Sequence, residues 1–163
     1  MTVEVRPALL QDAGGIAEVH VAAWSETYSH LIPAEALARQ NVEQRTLRWA
    51  EKISGAASAN LRAWVAVDGR VIIGFATSSS GHLPDEPRDL ELPTIYVLAS
   101  HHGGGAGQHL LDAALGDAPA FLWVADDNPR AHAFYARNGF VADGTTKVGP
   151  VAGTPVLEIR LVR

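Results

Sequence analysis

The sequence predicts a mixed α/β fold, in which a largely antiparallel sheet is flanked by helices. Apolar residues recur at helical spacing in some segments and alternate, as they do in strands, in others. Three consecutive strands separate the N-terminal helices from two later strand–helix units, so the chain is not a regular βαβ repeat. Its 163 residues suit one domain with a single core, and we expect residues 1–163 to form it.

The N-terminal third is predicted to hold one strand and three helices. Residues 3–6 alternate as a strand does, and helices are expected after Asp12, Pro33 and Asn41. Asp12 is a good N-cap residue, and the spacing from Asn41 to Gln44 resembles a capping box. The charged residues of the third helix are expected to form its solvated face: Arg45, Arg48, Glu51 and Lys52.

The middle of the chain is predicted to be all strand and loop. Residues 61–67 and 71–77 read as a hairpin around Asp68-Gly69, a strong turn signal. Residues 78–89 contain two prolines and a glycine and predict a long exposed loop. Residues 90–98 form the next predicted strand, in which Pro93 implies an edge, a bulge or a break in pairing.

The C-terminal part begins with a glycine-rich loop and contains the best-marked helix of the chain. A helix is expected at 108–115 and a short apolar strand at 120–124. Asn128 as N-cap, Pro129 at the first position and Gly139 after the end then mark a second helix. Strands at 140–147 and 156–162 follow, joined by a Gly/Pro-rich turn at 148–155.

Composition excludes several classes of protein. The chain is 47% apolar and 19% charged, and no apolar run approaches the roughly 18 residues of a membrane helix. The N-terminus lacks a signal-peptide pattern, so we expect a cytoplasmic protein with no membrane partner. There is no Cys, which excludes disulfides and thiolate zinc sites. The net charge of −5 disfavours nucleic-acid binding and slightly favours a cationic substrate.

The most informative segment is the glycine run from His102 to Gln108, which lies between a predicted strand and a helix. Glycine lets the main chain approach an anion closely, and a helix N-terminus offers unpaired N–H groups, so this arrangement suits a phosphate-bearing ligand. A P-loop would need Lys and Ser or Thr after the last glycine, where Gln108 and His109 stand. A dinucleotide fingerprint would need a third glycine where Gln108 stands, and it would follow the first strand, whereas this loop lies two-thirds along the chain.

Two blocks together resemble the GNAT superfamily of acetyltransferases. The segment from Ile95 to Leu111 is similar to the family's acyl-CoA pyrophosphate loop, Gln/Arg-x-x-Gly-x-Gly/Ala, with His102 at the Gln/Arg position. The segment from Asn128 to Phe140 is similar to the next family motif, which has Asn, Ala, an aromatic-Tyr pair and Gly-Phe. Residues 23–33 resemble the acceptor-side helices of one subgroup.

The resemblance implies a GNAT-like fold with a splayed central sheet, and acetyl-CoA as co-substrate. The pyrophosphate would be bound by the loop, and the pantetheine arm would pair with the end of the preceding strand. The thioester carbonyl would accept from an N–H near Val97 or Leu98. The cofactor residues so implied are Ile95, Tyr96, Val97, His102, Gly103, Gly104, Gly105, Ala106, Gly107, Gln108 and Asn128.

The resemblance also implies catalytic roles. Tyr135 stands at the family's acid position and would protonate the leaving thiolate. Glu91, on the strand that carries the carbonyl donor, is the expected base, since Trp123 occupies the other position where relatives carry a carboxylate. Asp126 and Asp127 are alternatives as base. Each assignment has a plainer reading: Tyr135 as a core aromatic, Glu91 as a solvated charge and Asn128 as a helix cap only.

The acceptor side is less defined by the sequence. Trp24 and Tyr28 are predicted to line the pocket of a primary amine, which could belong to a small molecule or a peptide. His20 is expected to be a satisfied core residue. The His101-His102 pair has no carboxylate cluster nearby, so no metal is expected.

Two other functions and one assembly stay open. An acyl-CoA-binding module without turnover would fit the same residues, because His102 replaces the usual Arg or Gln and Glu91 is the only carboxylate expected on the strands in reach. A nucleotide-binding domain using the same loop is a third alternative. A homodimer is compatible with the sequence.

Overall fold

The computed structural model describes residues 3–81 and 84–163 and contains a seven-stranded sheet of order β1-β2-β3-β4-β5-β7-β6. The strands are β1 (Val3–Pro7), β2 (Leu61–Asp68), β3 (Val71–Ser79), β4 (Glu91–Val97), β5 (Phe121–Ala125), β6 (Val141–Val151) and β7 (Thr154–Val162). The α-helices are α1 (Ala13–Tyr28), α2 (Ala34–Ala38), α3 (Val42–Ile53), α4 (Ala106–Leu115) and α5 (Pro129–Arg137). Two short 3₁₀ turns lie at Leu10–Asp12 and Ala99–His101.

The sheet consists of two antiparallel halves joined at its centre. Strands β1 to β4 pair antiparallel in chain order. In the other half β7 lies between β5 and β6 and pairs antiparallel with both. Strands β4 and β5 are parallel and register at one pair only, Glu91 with Phe121, where the Phe121 N–H donates to the Leu90 carbonyl over 3.0 Å. Beyond this pair the two strands separate. The predicted mixed sheet with a central splay is therefore confirmed.

We call the resulting gap the cleft. It lies between residues 92–97 of β4 and residues 122–125 of β5 and opens toward the C-terminal ends of both strands. The segments that follow these strands, the glycine loop with α4 and the turn with α5, both leave from this open end. Main-chain groups on the facing strand edges are left for a ligand to pair with.

Helices cover both faces of the sheet and bury two clusters. Helices α1 and α3 pack chiefly against β2, β3 and β4, with Trp49 and Phe75 fully buried between them. Helix α4 packs on the opposite face, where Leu110 and Leu122 are fully buried and Tyr135 of α5 joins the same cluster. Burying these side chains contributes most of the stability of such a fold.

The C-terminal hairpin corrects one prediction from the sequence. Residues 148–155 are not a long turn, because β6 continues to Val151 and β7 starts at Thr154. Only Ala152 and Gly153 form the loop, and both have positive φ, at 49° and 77°, as a two-residue hairpin turn of type I′ requires. Pro150 faces Pro155 at the second pair from this loop, a position where antiparallel strands exchange no N–H donors.

Of three local features predicted in the N-terminal and central parts, one is wrong and two are confirmed. Asp12 precedes α1 but does not cap it, since its carboxylate accepts from the Arg6 guanidinium at 2.7 and 3.0 Å and from the Leu9 N–H at 2.7 Å. The N-cap of α3 is as predicted: the Asn41 side chain accepts from the Gln44 N–H at 3.0 Å. The bulge expected at Pro93 is present as a shift in the β3–β4 register.

The predicted loop at 78–89 is only partly described. Strand β3 extends to Ser79, while His82 and Leu83 lie outside the described residues. Across the described ranges, no helix has both the length and the apolar character that crossing a membrane requires.

Candidate functional site

The glycine loop forms a cradle of main-chain N–H groups at the open end of the cleft. Gly103 and Gly105 have φ values of 80° and 86°, which side-chain-bearing residues adopt only at a cost. The first helical bond of α4 runs from the His109 N–H to the Gly105 carbonyl at 3.0 Å. The preceding N–H groups, those of Ala106, Gly107 and Gln108, therefore have no partner within the helix and suit an anion.

The edge of β4 that faces the cleft presents Ile95 and Val97. The Leu98 N–H is bonded to the Ile73 carbonyl on β3 at 2.9 Å, so Leu98 is not the free donor that the sequence left as an alternative. Because antiparallel neighbours alternate in direction, the N–H groups of Val97 and Ile95 point away from β3 and into the cleft. Val97 therefore offers an N–H to a ligand carbonyl there.

The His102 side chain is turned back toward β4. Its Nε2 lies 2.8 Å from the Val97 carbonyl oxygen, and since a carbonyl only accepts, Nε2 carries the proton and donates. His102 itself is exposed. The imidazole thus closes the turn between β4 and the glycine loop.

Two predicted cofactor residues use their side chains within the protein. The Gln108 side-chain amide donates to Asp112 and to Asn138, each at 2.8 Å. Its main-chain N–H, at the start of α4, is therefore the donor that Gln108 offers to a ligand. The Asn128 side-chain oxygen accepts from the Ala131 N–H at 3.2 Å. The predicted N-cap is therefore present, and the Asn128 amide nitrogen is left for any contact with a ligand.

Tyr135 is buried between the helices and the sheet. Its ring lies 5.4 Å from that of Phe134 and 5.8 Å from that of Phe140, with both pairs edge to face. Burial, followed by the nearby Tyr28, raises the pKa of Tyr135 well above the ordinary value of about 10. The phenol is therefore protonated at any physiological pH.

Helix α1 brings Trp24 and Tyr28 against the side chain of Tyr96 on β4. The Trp24 indole N–H donates to the Tyr96 hydroxyl at 3.0 Å, and the Tyr28 and Tyr96 hydroxyls lie 3.2 Å apart. Burial raises the pKa of Tyr28 and, more strongly, that of Tyr96. The phenols of Tyr28, Tyr96 and Tyr135 are therefore all neutral at physiological pH. The Tyr96 side chain belongs to this cluster, while its main chain belongs to β4.

His20 and Arg45 lie directly behind this cluster. His20 is buried, as predicted, and its Nδ1 accepts from the Trp49 indole N–H at 3.1 Å. Burial first, then the charges of Arg45 and Lys52, lower the pKa of His20 to about 3. The ring is therefore neutral at physiological pH.

The solvated helix face predicted for α3 is wrong at Arg45 and Lys52. The Arg45 guanidinium lies 4.4 Å from the Trp24 ring centre, and Lys52 covers the Trp49 ring at 4.8 Å. Periodicity could not show this, because the aromatic rings that attract the two cations come from another helix or from a packed helix face. Arg48 and Glu51 are exposed as predicted.

The three carboxylates proposed as base occupy different ends of the cleft. Glu91 is half-buried at the closed end, six residues and about 20 Å along β4 from Val97 by the usual strand rise. Asp126 and Asp127 are exposed, just beyond the end of β5 at the open end. Trp123 is half-buried on β5, between these two levels.

Two side chains near the open end were missed by the sequence reasoning. The Glu26 carboxylate of α1 accepts from the Ala99 N–H at 2.9 Å and so caps the 3₁₀ turn after β4. His30 Nε2 lies 3.1 Å from the Asp127 carbonyl oxygen and joins the end of α1 to the β5–α5 turn. Both contacts link segments that are far apart in sequence, and no local pattern marks them.

Within the described residues, no three His, Asp or Glu side chains lie close enough together to hold a metal ion.

The comparisons with known proteins decide the family. The sequence profile of the Acetyltransferase (GNAT) family matches residues 19–140, which include the second half of α1, the glycine loop and α5. This chain belongs to the GNAT family of acetyltransferases. The resemblance given by the two motifs is thereby confirmed.

Relatives of this GNAT chain carry names of the same activity. It is 33% identical over 135 residues to the uncharacterized N-acetyltransferase YuaI of Bacillus subtilis strain 168, covering 78% of this chain and 74% of YuaI. It is 38% identical over 84 residues to the uncharacterized N-acetyltransferase Rv2669 of Mycobacterium tuberculosis H37Rv, covering 48% of this chain and 51% of that protein.

Solved structures show the same fold. The PaiA N-acetyltransferase of Thermoplasma acidophilum, crystallised with coenzyme A, has a TM-score of 0.70 at 20% identity and covers 98% of both chains. The putative acetyltransferase YncA of Salmonella typhimurium, with acetyl-CoA, has a TM-score of 0.68 at 18% identity and covers 100% of this chain and 94% of that one. The GNAT fold predicted from the sequence is therefore confirmed.

Proposed function

We propose that this GNAT enzyme transfers the acetyl group of acetyl-CoA to a primary amine by direct attack in a ternary complex. The observation that carries the proposal is the cleft itself: the Val97 N–H points into it next to the glycine loop, and Val97 packs against the cluster that contains the buried, protonated Tyr135. One extended ligand with a diphosphate at one end and a thioester at the other fits this order of groups.

The cofactor would bind through main-chain groups. The diphosphate accepts chiefly from the Ala106, Gly107 and Gln108 N–H groups and gains from the partial positive charge at the start of α4, while the Gly104 N–H is already bonded to the His101 carbonyl at 3.4 Å. The amides of the pantetheine arm pair with Ile95 and Val97 as an added strand in the cleft. Asn128 supplies its free amide nitrogen from the other wall.

The chemical step needs two groups from the protein. The amine nitrogen attacks the thioester carbon, and the carbonyl oxygen, as it becomes negative, accepts from the Val97 N–H. The C–N bond forms, the C–S bond breaks, and Tyr135 donates its proton to the departing thiolate. Because its pKa is raised, Tyr135 always holds this proton before the reaction.

The attacking amine must lose its protons as well. An alkylamine with a pKa near 10.4 is mostly protonated at neutral pH, so a base helps. Glu91 is the proposed base, but it lies about 20 Å along β4 from Val97, so it can receive the proton only through a chain of ordered waters. Asp126 and Asp127, at the open end of the cleft, are the alternatives as base. Trp24 and Tyr28 form the wall against which the acceptor lies.

The test is a calorimetric titration with acetyl-CoA, followed by detection of released thiol with a panel of amines. Saturable binding and amine-dependent thiol release are expected. Binding without release from any amine would favour an acyl-CoA-binding module, and competition by ATP or NAD would favour a nucleotide site. The absence of binding at millimolar acetyl-CoA would overturn the proposal.

A further inference from the structure

The structure holds an ammonium group at a place that the proposed mechanism does not use. Lys147 of β6 directs its Nζ over the Trp123 ring, 4.1 Å from the ring centre, and 3.9 Å from Glu158 Oε2. An aromatic face and a carboxylate are the two groups that bind alkylammonium ions best. We call the place formed by Trp123 and Glu158 the ammonium site.

The ammonium site lies on the face of the sheet that α1 approaches. Leu122 and Val124 of β5 and Leu161 of β7 belong to the α4 cluster, so the alternating residues Trp123 and Glu158 point to the other face. Helices α1 and α3 pack chiefly against β2, β3 and β4 on this face. The part over β5, β7 and β6 can therefore receive a ligand.

Glu158 lies one strand behind the cleft, because β5 separates β7 from it. It registers with Ala125, four residues beyond the Phe121 pair, which puts it at the level of Ile95 along the strands. Its negative charge is one of the causes, after burial, that raise the pKa of Tyr28. The carboxylate thus lies beside the wall where Trp24 and Tyr28 are expected to hold the acceptor.

The position of the Glu158 carboxylate depends on a neighbouring glycine. A methyl group at Gly149 of β6 would collide with Glu158 Oε2, so the carboxylate lies across the space that the missing side chain leaves. Only 21% of the Glu158 side chain is exposed, against 46% for Lys147. The carboxylate is the fixed member of the pair, and the lysine is the exchangeable one.

The second cation near Trp123 is held differently. Arg160 lies 5.7 Å from the ring centre and donates to Asp143 at 2.7 Å and to Thr145 at 2.9 Å, with Glu86 at 3.4 Å. These contacts fix Arg160 in place. Among the residues that the structure describes, Lys147 contacts only Glu158 and the Trp123 ring, so a competing ammonium can replace it at little cost.

The ammonium site is too far from the thioester to hold the reacting nitrogen. Trp123 is two residues beyond the Glu91–Phe121 pair, Glu158 is at the level four residues beyond it and Val97 is six beyond it, so the site lies about 7 to 13 Å from Val97 along the strands. The reacting nitrogen must also be neutral, whereas an ion pair with Glu158 keeps an ammonium charged. An acceptor that uses both places needs two nitrogens on one flexible chain.

We propose that Trp123 and Glu158 bind a second, non-reacting ammonium of the acceptor in place of Lys147, and that the acceptor is a linear aliphatic di- or polyamine. This inference rests on the proposed acetyl transfer for its kinetic consequence, but the binding of the second ammonium can be measured without turnover. The net charge of −5 helps to attract such a cation.

The kinetic test measures thiol release from acetyl-CoA with n-butylamine, cadaverine and spermidine. In Glu158→Gln, the KM for spermidine is expected to rise about tenfold and the preference for spermidine over n-butylamine to fall by a similar factor, since a charged contact is lost. In Lys147→Met, the KM for spermidine is expected to fall several-fold, because the internal competitor is gone. Glu4→Gln, an exposed change on the far edge strand β1, is the matched control for net charge.

The binding test uses calorimetry with spermidine in the presence of coenzyme A, and thermal unfolding checks that each variant folds. If Glu158→Gln weakens spermidine binding but no amine releases thiol from acetyl-CoA, the ammonium site stands and the proposed acetyl transfer is rejected. Equal losses for n-butylamine and spermidine in Glu158→Gln, or a higher spermidine KM in Lys147→Met, would overturn the ammonium site while acetyl transfer stands. Absence of spermidine binding in the wild-type protein would overturn it as well.

Discussion

The imidazole of His102 donates from Nε2 to the Val97 carbonyl oxygen over 2.8 Å. The bond spans the turn between β4 and the glycine loop, so it fixes the Val97 main chain relative to the N–H groups proposed to bind diphosphate. Arg or Gln, the usual family residues here, have longer side chains. In this chain His102 instead stabilises the conformation of the turn by its hydrogen bond to Val97.

Replacing His102 by Ala should weaken coenzyme A binding without abolishing it. Loss of one hydrogen bond that pre-forms the turn is worth about 1 kcal/mol, or roughly a fivefold rise in the dissociation constant measured by calorimetry. His109→Ala, on the exposed face of α4, is the control. Equal dissociation constants for wild type and His102→Ala would show that the loop needs no such support.

Replacing Tyr135 by Phe should lower turnover about a hundredfold or more, the usual contribution of a general acid, while coenzyme A binds nearly as before. Because burial raises the pKa of Tyr135 far above neutrality, the loss should be similar at every pH from 6 to 9. The measurement is the rate of thiol release at saturating substrates. Unchanged turnover over this range would remove Tyr135 from the mechanism and leave it as a core aromatic.

Replacing Gly105 by Ala tests the conformation of the loop. The added methyl group would have room, since its nearest neighbour is His109 at 3.8 Å, but a φ of 86° strains any residue with a side chain by about 1–2 kcal/mol. We expect this loss in urea unfolding together with weaker coenzyme A binding. Gly14→Ala is the matched control, because it adds a methyl group in open space on helix α1 and should stabilise slightly. Equal stability of the two variants would contradict the argument.

The buried His20 predicts a loss of stability in acid. Its pKa is about 3 in the folded protein and about 6.5 in the unfolded chain, so the unfolded state binds the extra proton between these values. The contribution of His20 to the free energy of unfolding is therefore fully present above pH 6.5. It is lost as the pH falls toward 3, by up to about 1.4 kcal/mol per pH unit.

The measurement is urea unfolding at pH 4 to 7 for the wild type and for His20→Gln, which keeps an acceptor for the Trp49 indole. The variant should show a flatter dependence on pH. Asp12, whose pKa is lowered by the Arg6 guanidinium, affects both proteins equally. Identical slopes would mean that His20 is protonated in the folded state.

Much of the fold could be predicted because its signals are local. The β2–β3 hairpin, the Asn41 and Asn128 caps and the Pro93 bulge each depend on a few adjacent residues, and each is present. The hairpin loop is shifted by one residue to Gly69-Arg70, because Asp68 pairs with Val71. The predictions at Asp12 and at residues 148–155 failed for a different reason. Arg6 drew the Asp12 carboxylate away from the helix start, and strand pairing with β7 extended β6 through a region rich in Gly and Pro.

The candidate site was only half predictable. The glycine loop, Asn128 and Tyr135 could be placed from motifs, since main-chain conformation and helix ends have recognisable sequences. The direction of the Val97 N–H could not, because it depends on the β3–β4 register. The juxtaposition of Lys147, Trp123 and Glu158 depends on three strands coming together, and no spacing along the chain indicates it.

By itself, the sequence determined the family of this protein, the order of its elements and the loop proposed to hold a diphosphate, because glycine conformation, caps and periodicity act over a few residues. Only the tertiary structure decided how far β4 and β5 separate, which N–H groups face the cleft and which charges lie beside it. Hydrogen-bond register and electrostatic contact act between segments that are distant in the chain, so they exist only once the sheet has formed.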